Sequence, residues 1–215
     1  HQGGISFGAE KVLRVAMNNA TLRKRYPDAS TRYKAFCLRD PIKPARQALQ
    51  QARLEHLARK PASQRNAYWQ SGTDHTLRIH DGSLPEAGFS LSYHQSSHST
   101  WVLVTAPLSP LPLNLEFELP NDFTRLVECL RDLPLQAIVY EHLARCPVGL
   151  CDLPAMLGIP YSIQCRDDRL LDQQGDYDWQ RFAREASNVV VQWPALKPIY
   201  SDALPDAKVM VEATS

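Results

Sequence analysis

The chain has 215 residues, 44% of them apolar, and its 24 basic and 23 acidic residues give a formal net charge of +1. This length and apolar content suffice for one buried domain plus an appendage, and the balanced charge gives no general reason to expect nucleic-acid binding. A membrane-spanning helix needs about 18 consecutive apolar residues, and the apolar runs of this chain are shorter. No signal-peptide pattern opens the chain. We therefore expect a cytoplasmic protein, with peripheral association at the inner face of the membrane as the alternative.

Residues 1–60 predict a helical tail or connector, because they are rich in Arg, Lys, Ala, Gln and Leu and carry little strand signal before Pro61. Polar caps and prolines bound its helices. The predicted helices are Phe7–Tyr26, Ser30–Leu38 and Pro44–Arg59. We expect their many basic side chains to lie on solvated helix faces.

Residues 61–215 predict a second domain that begins with strands. Asn66–Trp69 predicts a first strand, and His75–His80 alternates polar and apolar residues as a strand does. Phe89–Tyr93 and Trp101–Thr105, joined by a polar turn, predict a β-hairpin.

A further strand is predicted over Asn114–Leu119, followed by a helix that Asn121 or Asp122 caps and that ends near Asp132.

A βαβ unit is predicted within Gln136–Asp168. Its parts are a strand over Ala137–Tyr140, an amphipathic helix over Val148–Leu157 that stops at Gly158, and a strand over Ile159–Cys165. Glycine after the last apolar turn suits the left-handed position that ends many helices.

The last predicted elements are a helix over Trp179–Ala186, a strand over Asn188–Gln192, a helix over Pro194–Leu204 and a strand over Ala207–Val211. The valine run in the first of these strands predicts burial on both faces of a parallel sheet. Strands that alternate with helices predict an α/β fold, a Rossmann-like three-layer α/β/α domain around a mostly parallel sheet, with the helical appendage before it.

Polar residues that follow predicted strands are the candidate site, because loops at the carboxyl ends of parallel strands line the ligand crevice. Glu141 and His142 could bind hydroxyls or move a proton, or could merely cap a turn. Arg166 and Asp167 could hold a phosphate or a sugar, or could form an exposed ion pair of little energetic value.

Two other patterns carry weaker signals. Gly72 and Thr73 could present backbone N–H groups to a phosphate, or could form an ordinary turn. The histidines are loosely spaced and lack acidic or thiol ligands at a metal-binding interval, so no metal and no cofactor is predicted. The five cysteines contain no Cys-x-x-Cys pair, which predicts buried, reduced thiols.

Residues 66–215 resemble the N-terminal Rossmann half of a retaining, group-one GT-B glycosyltransferase. The matching motifs are Gly72-Thr73-Asp74-His75, the helix from Asn121, Glu141-His142-Leu143, the segment 153–161 (LPAMLGIPY), Arg166-Asp167, the helix from Trp179, the segment 187–191 (SNVVV) and the segment 204–209 (LPDAKV). Residues 1–45 are similar to the tail that follows a GT-A type glycosyltransferase domain. The matching segments there are 1–8 (HQGGISFG), Tyr26-Pro27 and Arg39–Ile42.

Together the two resemblances imply a fragment of a multi-module glycosyltransferase of surface polysaccharide or lipopolysaccharide synthesis. They imply the acceptor-side half, inactive alone, whose partners are a nucleotide-sugar donor, a glycan or lipid-linked acceptor, and adjacent glycosyltransferase modules. The implied catalytic residues are His142 and Asp167, and the implied substrate-binding residues are Gly72, Thr73, Glu141 and Arg166. The resemblance also implies that His75–His80 is helical.

The chain departs from the family at two positions. The glycine-rich loop is reduced to Ser71 and Gly72, and only glycine lets the backbone approach a phosphate without a Cβ. Arg166 stands where the family usually has His, and arginine cannot act as a base. These departures favour the alternative function, a degenerate, non-catalytic Rossmann module that spaces or docks neighbouring modules.

Overall fold

The computed structural model of the chain describes residues 11–69, 74–82, 88–96, 99–141, 143, 146–171 and 177–212. The chain divides into two compact units, His1–Arg46 and Gln47–Ser215.

The first unit contains helices. They are α1 (Lys11–Arg25), α2 (Ala29–Arg39) and the beginning of α3 (Lys43–Ala58). The three predicted helices are therefore confirmed, except that residues 7–10 lie outside the described residues. Helix α2 buries none of its residues, and it ends at Asp40, which adopts a left-handed conformation with φ of 39°. The Arg46 guanidinium donates to the Asp40 carboxylate, and this hydrogen bond lowers the pKa of that carboxyl.

The second unit is built on one sheet of eight strands. In chain order these are β1 (Thr76–His80), β2 (Phe89–Gln95), β3 (Thr100–Ala106), β4 (Leu113–Leu119), β5 (Ala137–Glu141), β6 (Tyr161–Cys165), β7 (Asn188–Val191) and β8 (Val209–Val211). Their spatial order is β4-β3-β2-β1-β5-β6-β7-β8. Strand β3 is antiparallel to β2 and β4, and the other pairs are parallel.

Helices accompany the sheet along the chain. They are α4 (Ala62–Arg65), α5 (Phe123–Arg131), α6 (Leu153–Leu157), α7 (Trp179–Glu185) and α8 (Leu196–Ala203). The fold is the predicted α/β class, a mostly parallel sheet with helices that is consistent with a Rossmann-like three-layer α/β/α domain.

Two expectations for the residues before β2 are wrong. Asn66–Tyr68 forms a 3₁₀ helix instead of a strand, and Trp69 makes only an isolated bridge to Leu108. The helix that the family resemblance implied over His75–His80 is strand β1, as the alternation predicted. The reason is physical, because the two apolar residues of that strand must face the same side to be buried together.

The predicted βαβ unit is confirmed, with a refinement in its helix. The first half, Val148–Asp152, is a 3₁₀ helix, and α6 follows it directly. Gly158 then adopts the expected left-handed conformation, with φ of 68° and ψ of 31°. Its N–H donates to the Pro154 carbonyl at 2.9 Å, which closes the helix end.

The strand register gives the sheet two different faces, because cross-strand partners share a face and consecutive residues alternate. The apolar face carries the fully buried side chains. They include Leu77, Ile79, Phe89, Leu91, Val102, Val104, Leu115, Phe117, Ile138, Tyr140, Ile163, Val189 and Val191. Helix α7 packs here, since the Phe182 ring stacks on Tyr161 at a centroid distance of 4.5 Å and meets Tyr140 edge-on at 5.2 Å.

The opposite face, which we call the polar face, has another composition. Its central members are Arg78, His80, Ser90, Ser92, Val139, Glu141, Ser162, Gln164, Asn188 and Val190. Most of them keep part of their surface exposed. Strand β7 follows the same alternation, so the prediction that its valine run is buried on both faces is wrong.

The outer edge of β4 is protected by α3. The Glu116 N–H donates to Gln47 Oε1 at 2.8 Å, which occupies an outward-facing donor of this edge strand. Arg53 also donates to the Leu111 carbonyl at 2.7 Å, and Leu54 and Leu57 are buried in the core.

The left-handed turn at Gly158 gives a direct test of backbone strain. A Cβ added at Gly158 would meet nothing within 4 Å, so Gly158→Ala creates no clash with a neighbour. Its cost is that of holding alanine in a left-handed backbone conformation, which should lower the unfolding free energy by about 1–2 kcal/mol. Gly149→Ala is the matched control, because its Cβ also meets open space and its φ is not left-handed. Urea denaturation of both variants should show a loss for Gly158→Ala alone, and equal midpoints would contradict the assignment.

The five cysteines are free thiols, and all except Cys37 are buried. Burial raises the pKa of Cys129 to about 12 and the pKa of Cys165 to about 11. Because the thiolate is the reactive species, iodoacetamide at pH 8 should modify Cys37 alone in the folded protein. Intact mass should show one adduct in buffer and five in urea, whereas a second adduct forming at a similar rate in buffer would argue against this burial.

Candidate functional site

Strand β1 lies where the connections of the sheet change direction. From β1 the chain continues to β2, which lies on one side of β1. Strand β5 lies on the other side, and from β5 the chain continues away from β1 to β6. In open α/β sheets, ligands bind beyond the carboxyl ends of two such strands. The last residues of the two strands are His80 and Glu141.

Glu141 is held by an ion pair that the topology creates. Its Oε1 accepts a hydrogen bond from Arg78 Nη1 at 3.0 Å, although the two residues are 63 positions apart in the chain. The Glu141 side chain is 10% exposed and that of Arg78 is 32% exposed. Because burying both charges costs desolvation energy that offsets their attraction, the main effect of the pair is to fix the carboxylate in place.

His80 is a buried histidine without a hydrogen-bond partner among the described residues. It is 4% exposed, and in that part of the chain neither Nδ1 nor Nε2 makes a hydrogen bond. Its register partner on β2 is Ser92, and one further step of the β1–β5 register places Glu141 on its other side. Leaving such a group unsatisfied costs about 1–3 kcal/mol, and an exception of this kind in a folded protein calls for an explanation such as a ligand.

We call Arg78, His80, Ser92 and Glu141 the switch-point cluster. His80 is its most deeply buried member, whereas Arg78 and Ser92 keep part of their surface exposed. The cluster offers an imidazole, a hydroxyl, a carboxylate and a guanidinium on one face of the sheet, which are groups that bind polar ligands through directed hydrogen bonds.

The residues predicted from the sequence are only partly brought together here. Glu141 belongs to the switch-point cluster, while His142, Gly72 and Thr73 lie outside the described residues. Arg166 and Asp167 follow β6, the neighbour of β5, and are exposed at the same edge of the sheet.

Both the side chain and the backbone carbonyl of Asp167 contact other groups of the protein. Its carboxylate lies 3.4 Å from Arg169 Nε, and its backbone carbonyl accepts from the Tyr200 hydroxyl at 2.8 Å. Among the described residues, neither Arg166 nor Asp167 hydrogen-bonds to the switch-point cluster. Their assigned roles therefore stay predictions.

Sequence reasoning missed Arg78 and Ser92, and it considered His80 only within a loose group of histidines. A signal existed in the alternation of Thr76–His80, which places Arg78 and His80 on the same face of a strand. The described part of the chain contains no group of three or more His, Cys, Asp or Glu side chains that could hold a metal.

A groove of about 320 Å³ lies beside α6 and α7, away from the cluster. Its polar groups are largely engaged within the protein. Arg181 N–H donates to Asp178 at 2.8 Å, Arg181 Nε donates to Glu185 at 2.8 Å, and the Tyr161 hydroxyl donates to the Phe182 carbonyl at 2.6 Å. Among the described residues, the groove lining thus contains no buried side-chain atom without a hydrogen-bond partner, whereas the switch-point cluster contains His80.

Comparison with family models, with curated proteins and with solved structures finds no match for this chain. The resemblance to glycosyltransferases therefore rests on the sequence motifs alone. Of the helices in the described ranges, none is both long enough and apolar enough to cross a membrane.

The ion pair predicts an asymmetric response to substitution. Arg78→Met leaves the buried carboxylate of Glu141 without its guanidinium and should lower the unfolding free energy by about 1–3 kcal/mol. Glu141→Gln should cost less, because the amide oxygen still accepts from Arg78 and the charge that remains is that of Arg78, which is the more exposed partner.

Urea denaturation measures both effects, and Arg125→Met is the control. The Arg125 side chain is 62% exposed in its pair with Asp122, and pairs of that kind contribute at most about 1 kcal/mol. If Arg78→Met were no more harmful than Arg125→Met, the buried pair would have no special role.

Proposed function

We propose that this chain is the acceptor-side half of a nucleotide-sugar-dependent glycosyltransferase in surface polysaccharide or lipopolysaccharide synthesis, and that the switch-point cluster binds hydroxyls of the acceptor sugar. The motif resemblance supports the class of enzyme. The observation that carries the binding site is the buried imidazole of His80, which lies next to Glu141. Neither of its two nitrogens has a hydrogen-bond partner among the described residues.

The chemistry of His80 favours a hydroxylated ligand. A neutral imidazole has one N–H donor and one acceptor nitrogen, and here both are unsatisfied. Sugar hydroxyls both donate and accept, so neighbouring hydroxyls can satisfy both nitrogens. A phosphate with only acceptor oxygens would satisfy one of them and would meet the carboxylate of Glu141 nearby.

The other members have compatible roles. Glu141 Oε1 is bonded to Arg78, and Oε2 can accept from a further hydroxyl. His142 is proposed to act at the acceptor and Asp167 beside the transferred sugar, with Arg166. Gly72 and Thr73 are proposed to face the donor phosphates.

A second function, a non-catalytic module that spaces or docks neighbouring modules, is favoured by a different observation. The Glu141 carboxylate already has a partner in Arg78 at 3.0 Å, which is what a purely structural ion pair would show. Under this alternative, the cluster binds no sugar and its substitutions change stability only.

An array of neutral bacterial glycan fragments, from monosaccharides to hexasaccharides, separates the two functions. We expect the 215-residue chain to bind at least one fragment, and His80→Leu to weaken that binding at least about tenfold, or roughly 1.4 kcal/mol. Leucine nearly preserves the side-chain volume and removes an unsatisfied polar group, so the unfolding temperature should not fall. The chain alone should show no sugar transfer, because the implied site needs a second Rossmann half.

His56→Leu is the matched control, since His56 is exposed on α3. It should bind as the wild type does. Absence of binding to every fragment, or equal binding by His80→Leu and wild type, would reject sugar binding at the cluster and favour the spacing module.

A further inference from the structure

The polar face continues beyond the switch-point cluster as a row of uncharged polar side chains. Gln164 on β6 is the register partner of Glu141, and Ser162 lies two residues earlier on the same strand and face. Asn188 on β7 is in turn the register partner of Ser162. The row therefore begins at the cluster and crosses two further strands.

These side chains have unused hydrogen-bonding capacity. Asn188 Oδ1 is shielded from solvent and has no hydrogen-bond partner. In the described part of the chain, the side chains of Ser162 and Gln164 also make no hydrogen bond, while each residue keeps part of its surface exposed. The row thus offers hydroxyl and amide groups that could bond to a ligand.

From β1 to β7 the polar face spans three strand spacings, or about 14 Å, which exceeds one sugar ring. We propose that Ser162, Gln164 and Asn188 form a second subsite, which binds a further sugar of a neutral oligosaccharide whose end occupies the switch-point cluster. This inference rests on the proposed function and makes it more specific, because it assigns an oligosaccharide as the acceptor instead of a single sugar.

The composition of the row favours a glycan over a protein partner. Protein interfaces are enriched in aromatic side chains, Met and Arg at their centres, and Ser162, Gln164 and Asn188 are none of these. The row also carries no formal charge, so it provides no attraction for a phosphorylated or acidic ligand. An oligosaccharide presents both donors and acceptors along its length, which can pair with the unpaired amide oxygen of Asn188 and the hydroxyl of Ser162.

The test compares chain lengths on the same array. We expect wild type to bind a neutral trisaccharide at least about tenfold more tightly than its terminal monosaccharide. Asn188→Leu and Gln164→Leu should remove most of this difference and leave monosaccharide binding unchanged. The unfolding temperature of Asn188→Leu should not fall, because the amide oxygen it removes is unsatisfied.

Asn114→Leu provides the control, since Asn114 is exposed on β4, an edge strand separated from β6 by four other strands. Equal affinity for monosaccharide and trisaccharide, or an undiminished difference in Asn188→Leu, would overturn the second subsite and leave the proposed function intact. The length comparison is read from the β6 and β7 variants. A wild-type chain that binds no fragment would reject both proposals together.

Discussion

Side-chain alternation across a single sheet is the constraint on which the rest of the structure depends. Leu77 and Ile79 of β1 are buried on the apolar face, so Arg78 and His80 must lie on the polar face. A register shift of one residue would exchange the two sets and expose the core, which is why the polar set is fixed as firmly as the apolar one. The position of each polar group on this face is therefore a consequence of core packing.

Topology then determines which polar groups meet. Strand β1 lies between β2 and β5, so its polar residues are flanked by Ser92 on one side and Glu141 on the other. The resulting cluster contains a buried charge pair that adds little net stability and a histidine that has no partner among the described residues, which opposes stability. The buried apolar face opposite, with aromatic contacts such as Tyr161 on Phe182, offsets that cost.

The sequence predicted the architecture well because the local signals agreed with the fold. Most strands and helices, the left-handed Gly158 and the α/β class follow from periodicity, caps and prolines. The failures occurred where a general expectation replaced the local pattern. The family resemblance overrode the alternation of His75–His80, and the valine-rich β7 was assumed to be buried on both faces although Asn188 faces the polar side.

The site was harder to predict because its members are distant in sequence. Glu141 could be found as a polar residue at the end of a strand, but its pairing with Arg78 spans 63 positions and depends on the strand order. That His80 lacks a hydrogen-bond partner is likewise a property of its surroundings, which no local pattern encodes.

The carboxylates and the guanidinium at the carboxyl edge fit ligand binding better than proton transfer. Glu141 donates no proton when ionised, and one of its oxygens is bonded to Arg78. Arg166 cannot serve as a base, since it is an arginine. Asp167 is exposed and pairs with Arg169. Donor and acceptor side chains of this kind orient a hydroxylated ligand. In the proposed two-domain transferase, the second domain would supply the reaction on that ligand.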